Sequence, residues 1–280
     1  MAASVRLTVL VENGVTRADL RPEHGFAVWI ETGAGRVLFD TGQGGALDLN
    51  ARTLGVDLST ADASVLSQGH YDHTGGLPTA LEAAPRATVF AHLAALDAKY
   101  ALGPDGSSRS IGMPSEAAEA LARHAGELVE TARPTEVLPA LFATGQVPRT
   151  TDFEDTGGPF YLDEAGTRPD PMLDDQALYF TSAKGVVIIL GCAHAGVVNT
   201  MQYVAEMTSA ETIHCAMGGM HLVNASDERI ALTLDAFRAF GVERIGPVHC
   251  TGERAVAHFR DECADRLLRC SAGWSMGFRL

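Results

Sequence analysis

The chain has 280 residues, 46% of them hydrophobic and 29 of them glycine, a composition that excludes an intrinsically disordered protein and buries roughly three quarters of the extended surface. Its formal charge of -14 excludes a nucleic-acid backbone as the main partner, because there is no basic excess to displace counterions. A small anionic substrate remains compatible, since a local metal site outweighs the global charge.

The segment Met1–Arg6 lacks the basic-then-apolar form of a signal peptide. Residues 7–11 and 26–30 read as strands rich in β-branched and aromatic side chains, and 36–40 follows a glycine turn as the second arm of a hairpin. A short helix is predicted over 47–54, then a buried strand over Val65-Leu66-Ser67, a helix over 79–84 and a strand over 88–90. Residues 114–130 read as a helix with proline in its first turn. The stretch from 144 to 171 is rich in proline, glycine and acids, and two readings stand: a lid over a site, or a surface loop joining two halves. Strands at 176–180 and 185–190 follow, then helix 196–207 and strand 212–217. Ser226 caps a helix running to Phe240, with Asp227 and Glu228 at its positive end, and strand 244–248 and helix 253–268 close the pattern. The longest apolar run, Val186–Leu190, is far too short to cross a membrane. Five scattered cysteines without a CxxC pair read as reduced thiols of a cytoplasmic protein, most simply as small buried hydrophobes, although Cys192 and Cys250 flank candidate ligands.

The densest chemistry lies in Ser67-Gln68-Gly69-His70-Tyr71-Asp72-His73-Thr74-Gly75-Gly76, which sets two imidazoles and a carboxylate within four positions directly after an apolar strand. Such donors suit zinc, iron or manganese. Three further strand ends carry a histidine beside glycine or cysteine: Gly191-Cys192-Ala193-His194, Gly218-Gly219-Met220-His221 and Val248-His249-Cys250. One histidine alone is ordinary; its recurrence at strand ends, where loops aim side chains from a rigid base, points to one shared site. His24 precedes a strand and is a weaker candidate, whereas His92, His124, His214 and His258 default to structure or surface.

The run from Gln68 to His73 resembles the first signature of the metallo-β-lactamase superfamily, His-x-His-x-Asp-His, with Gln68 in place of the first histidine. The resemblance extends from Phe39-Asp40-Thr41-Gly42 to His249-Cys250-Thr251-Gly252. Glu23-His24-Gly25, Asp174-Asp175-Gln176-Ala177-Leu178, Gly191–Thr200 and Gly218–Leu222 resemble the branch around dihydropterin-ribofuranosylaminobenzene 5'-phosphate synthase. It implies an α/β fold of four αββα layers in a single domain over 1–280, with an insertion or lid at about 100–171. It also implies one or two divalent transition metals, zinc foremost. Gln68, His70 and His194 would serve a first position, and Asp72, His73 and His249 a second. His221 would stand where the family has its bridging aspartate, and Asp40 would orient a ligand. A neutral amide at Gln68 weakens the first position most.

The leading functional reading is a hydrolase that uses a metal-activated water on a small, possibly phosphorylated substrate, with Asp72 and His221 as catalytic residues. A pterin or aromatic-phosphate transferase is the alternative, with Phe153, Phe160 or Tyr161 as aromatic walls. A metal- or ligand-binding protein without catalysis is the third reading, motivated by Gln68. The expected partner is a small molecule, with neither nucleic acid nor membrane, in a monomer or homodimer.

Overall fold

The computed structural model describes residues 4–280. Seven strands form a first sheet in the spatial order Ser275–Arg279, Ser4–Val11, Ala27–Glu31, Arg36–Phe39, Ala63–Val65, Thr88–Ala91 and Leu128–Glu130. Six form a second: Arg244–Val248, Ile213–Gly219, Gly185–Leu190, Ala177–Ser182, Leu141–Ala143 and Thr135–Leu138. A small third sheet joins Phe160–Tyr161, Tyr100–Leu102 and Ser108–Ser110. Residues 100–171 are therefore threaded through all three sheets.

The period of two explains the layering. In Gly185–Leu190, Val187 and Ile189 pack with Val28, Ile30 and Phe39 of the first sheet, whereas Val186, Ile188 and Leu190 pack under helices. A strand covered on both faces reads as a continuous apolar run, as this one does. The two sheets thus meet face to face. Helices Val197–Thr208, Asp227–Ala239 and Glu253–Cys263 cover the outside of the second sheet. Helices Leu47–Leu54, Leu77–Ala83 and Ser115–Arg123 cover the first. The expected αββα sandwich is what forms.

Most predicted elements form, but two helices are shorter than expected, and several short strands, among them Thr135–Leu138, Leu141–Ala143 and those of the third sheet, had no predicted element. The predicted helix over 114–130 ends at Arg123, where His124 turns extended and the chain goes on to Leu128–Glu130, which pairs in parallel with Val89–Ala91. The last helix stops at Cys263. Ser275–Arg279, assigned no element from its pattern, is a strand whose pairing with Ser4–Thr8 completes the first sheet.

Strand direction decides where chemistry gathers. Arg36–Phe39, Ala63–Val65 and Thr88–Ala91 are mutually parallel, as are Gly185–Leu190, Ile213–Gly219 and Arg244–Val248. The carboxyl ends of five of these six strands lead into Asp40, Gln68–His73, Cys192–His194, His221 and His249–Cys250. Ligand sites of α/β sheets lie at such ends.

Candidate metal centre

Three hydrogen bonds fix which nitrogen each imidazole offers. His73 Nδ1 lies 2.7 Å from Asp40 Oδ2, both side chains fully buried. His194 Nδ1 lies 2.8 Å from the Thr156 carbonyl, and His249 Nδ1 lies 3.2 Å from Asn13 Oδ1. Carbonyl and carboxylate oxygens only accept, so each Nδ1 carries a proton and Nε2 is the nitrogen left to face the site. The Nε2 atoms of His70, His194 and His249 are buried without a hydrogen-bond partner among the described residues, as are Oε1 and Nε2 of Gln68. Leaving such atoms unmatched costs about 1–3 kcal/mol each. Their chemistry, neutral nitrogen and amide oxygen, is that of divalent-metal ligands, so the residues present fit such an ion.

These donors fall into two neighbourhoods. In one, the rings of His70 and His194 meet edge-on at 5.0 Å, and those of His194 and His221 lie tilted at 4.1 Å. In the other, Asp72 Oδ2 lies 3.2 Å from both His249 Nε2 and His24 Nε2, and the rings of His73 and His249 are 5.1 Å apart. Three sets of donor atoms lie close enough to hold one ion: His73, Cys192 and His249; His24, Asp72 and His249; and Cys192, His221 and Cys250.

The electrostatics follow from burial and charge. Burial pushes the pKa of His70 down to about 3, which keeps its lone pair free. Burial opposes protonation of His73 too, but the carboxylates of Asp40 and Asp72 outweigh it and lift His73 to about 9. In the metal-free protein a proton thus occupies the place a cation would take. Burial also works against ionising Asp72, yet His73, His24 and His249 hold its carboxyl well below the usual range. His221 is displaced upward, because Cys250 beside it outweighs burial.

The backbone is strained where these groups project. Asp40, Ala193, His221 and His249 all adopt left-handed φ, between 44° and 57°, a conformation that non-glycine residues keep only when their surroundings enforce it. Part of that enforcement comes from the segment 144–171. Arg149 donates to the His194 carbonyl, and Glu154 accepts from the backbone N–H groups of Val198 and Asn199 at the start of helix Val197–Thr208. Gly157 packs so closely on His221 that a Cβ there would lie 1.9 Å from the ring. Phe160 stands 5.3–5.9 Å from the rings of His70, His194 and His221.

A cavity of about 1470 Å³ opens over this centre, with Arg109, Arg260 and Arg269 on its walls. Of the aromatic residues expected as walls, Phe160 lines it, whereas Phe153 packs against the helical side of the second sheet. Asp174 and Asp175 are both buried. Asp174 Oδ2 accepts from Gly69 N at 2.7 Å, and Asp175 Oδ2 from Ala195 N at 2.9 Å, so each braces a histidine-bearing loop. Glu12 and Asn13 were missed: Glu12 accepts from His249 N, and both lie beyond the end of the first strand with no motif to mark them. Packing was the simplest reading of the cysteines, with Cys192 and Cys250 set apart as flanking candidate ligands, and the sulfurs of these two do face the imidazoles. Their spacing from His194 and His249 was the available signal.

A chain with this sandwich, and with histidines at these strand ends, belongs to the metallo-beta-lactamase superfamily, whose family model matches residues 20–249. It carries a site of histidine, cysteine and aspartate ligands able to coordinate a divalent metal, typical of metal-dependent hydrolases and transferases. Among its relatives is 7,8-dihydropterin-6-methyl-4-(beta-D-ribofuranosyl)-aminobenzene-5'-phosphate synthase of Methanocaldococcus jannaschii, 28% identical over 261 residues, with 90% of this chain and 88% of that protein covered. An uncharacterised protein of the same organism, MJ0448, is 32% identical over 89% of this chain and 92% of its own length. The solved structure of Tm1679, described as a metal-dependent hydrolase of the beta-lactamase superfamily, superposes with a TM-score of 0.83 at 33% identity, covering 97% of this chain and 98% of the other.

Proposed function

We propose that this chain is a metal-dependent hydrolase acting on a small anionic substrate, with one firmly held metal at Asp72, His73 and His249 and a weaker position at Gln68, His70 and His194. The observation that carries the reading is the set of buried, unpartnered Nε2 atoms of His70, His194 and His249, the last two with the opposite nitrogen held by a hydrogen bond. When bound, a divalent ion supplies Lewis acidity, polarising a phosphoryl or carbonyl oxygen and acidifying water. Zinc suits the mixture of nitrogen, oxygen and sulfur donors best, and iron or manganese is the alternative.

The chain's own residues supply the remainder. Asp72, held ionised, accepts a hydrogen bond from a water or substrate hydroxyl. His221, biased toward its protonated form, donates to an oxygen on which charge develops. Asp40 fixes the tautomer and direction of His73. Arg109, Arg260 and Arg269 offer positive charge along the cavity in an otherwise acidic protein, which favours a phosphorylated or carboxylated molecule. The segment 144–171 walls the site through Phe160. Transfer to an aromatic-phosphate acceptor is the second reading, supported by likeness to the synthase and by that same ring. No helix among the described residues is long and apolar enough to cross a membrane. A cytoplasmic protein is the reading that the free cysteines favour.

The test is element-resolved metal content of protein purified without added metal, for wild type and Gln68→His. We expect about one ion per wild-type chain, approaching two in the variant. His249→Ala should lose metal and turnover of phosphoester and lactone substrates together. Wild-type protein that binds no metal even after reconstitution would refute the reading.

A further inference from the structure

We infer that the metal centre carries a sulfur ligand, Cys192, beside His73 and His249. The inference rests on the metal-dependent reading above and adds the identity of a donor. Cys192 Sγ lies 3.1 Å from His73 Nε2, the ring nitrogen that Asp40 leaves free. His73, Cys192 and His249 are all buried, and their donor atoms lie within 4.8 Å of one another. Nitrogen and sulfur ligands of one tetrahedral zinc ion stand roughly 3.5 Å apart, given bonds of about 2.0 and 2.3 Å. Cys192 is also the member common to a second trio with His221 and Cys250, whose sulfur is 3.2 Å away.

The bland alternative is a buried thiol that merely packs, and two other cysteines show what that looks like. Cys215 and Cys270 sit in the apolar core between the sheets among Val, Ile and Phe side chains. Cys192 and Cys250 are equally buried but belong to no apolar cluster of the core; their sulfurs face imidazole nitrogens and each other. Charge balance favours the same assignment. Two neutral imidazoles and the Asp72 carboxylate leave one positive charge on a divalent ion, and burying that charge is costly. A thiolate from Cys192 makes the centre neutral. On binding, the Cys192 S–H bond breaks, a sulfur–metal bond forms, and the proton leaves to solvent, so no oxidant or reductant is needed. Gln68 adds a reason: with an amide where an imidazole would stand, the strongest donors lie on the Cys192 side of the site.

The decisive experiment is zinc-edge X-ray absorption on the full chain loaded with one equivalent of zinc. Wild type should show a sulfur shell at about 2.3 Å beside nitrogen and oxygen at about 2.0–2.1 Å. Cobalt-substituted protein should show a thiolate-to-metal charge-transfer band in the near ultraviolet. Cys192→Ser should lose both signals, while Cys250→Ser and Cys263→Ser keep them. A wild-type spectrum with nitrogen and oxygen only overturns the assignment while leaving the metal-dependent reading intact. Loss of the sulfur shell in Cys250→Ser but not in Cys192→Ser overturns it as well. Absence of bound zinc overturns both readings. The wild-type spectrum decides even where Cys192→Ser does not fold.

Discussion

Lys99→Met is the substitution whose cost follows most directly from the structure. The ammonium is 2.8 Å from Asp170 Oδ2 and 2.9 Å from Asp174 Oδ1, with all three side chains buried. Burial works against the charge on Lys99, but the two carboxylates outweigh it and raise its pKa. At Asp174 burial wins instead and the pKa is raised, because one ammonium shared between two carboxylates compensates neither fully. Removing the cation strands two buried acids, a loss of about 3–5 kcal/mol. With a urea slope of about 2–3 kcal/mol per molar, the midpoint of the metal-free protein should fall by about 1–2 M. An acid whose folded pKa is raised contributes stability below its unfolded pKa and loses it as pH rises through the folded value. The deficit should therefore be larger at pH 8 than at pH 5. Because Asp174 also accepts from Gly69 N, zinc affinity should weaken alongside. A triple variant that also carries Asp170→Asn and Asp174→Asn should recover most of the loss. A single variant within about 1 kcal/mol of wild type at pH 8 would refute the reasoning.

Other substitutions probe the centre itself. Asp40→Asn should reduce zinc affinity about 10–100-fold in calorimetric titration, since it removes the carboxylate that fixes His73; unchanged affinity would show that this bond does not matter. Burial lifts Asp175 to about 7, against opposition from the Ala195 and His194 N–H groups. Its contribution to stability should be fully present below about pH 4 and lost progressively as pH rises to about 7, at most about 4 kcal/mol in all. Asp175→Asn should remove that slope from chemical unfolding of the metal-free protein, and an identical slope in both proteins would sink the assignment. Gly157→Ala forces a methyl group against the His221 ring from a left-handed backbone. Turnover should fall by up to about 100-fold with metal content unchanged; full activity would remove His221 from the chemistry.

Strand and helix patterns were legible where one face alone met the core. Ser226 and the acids after it announced helix Asp227–Ala239, whose cap accepts from Arg229 N as expected. The continuous apolar run at Gly185–Leu190 announced a strand too, although both of its faces are covered. Illegible were elements whose identity depends on a distant partner. Ser275–Arg279 is a strand because Ser4–Thr8 pairs with it, and Leu128–Glu130 because Thr88–Ala91 does. The same division holds for the site. Histidines beside glycine at strand ends could be read directly, because the loop chemistry is local. Asn13 and Glu12 could not, since their roles lie in bonds to His249 across 236 and 237 positions of sequence. Lys99 carried no motif either; only the fold brings it to Asp170 and Asp174.

The bond that sets His194 comes from the backbone of Thr156, not from its side chain. Replacing Thr156 with almost any residue leaves that carbonyl in place, so point mutation is a poor way to unsettle the imidazole. Changes of length in the neighbouring loop are a different matter. One residue added or removed between Arg149 and Gly158 shifts the carbonyl, the wall formed by Phe160 and the support under His221 at the same stroke. Swapping this segment between relatives would thus exchange a reactive constellation together with a pocket shape, and selectivity could not drift there without the chemistry drifting too.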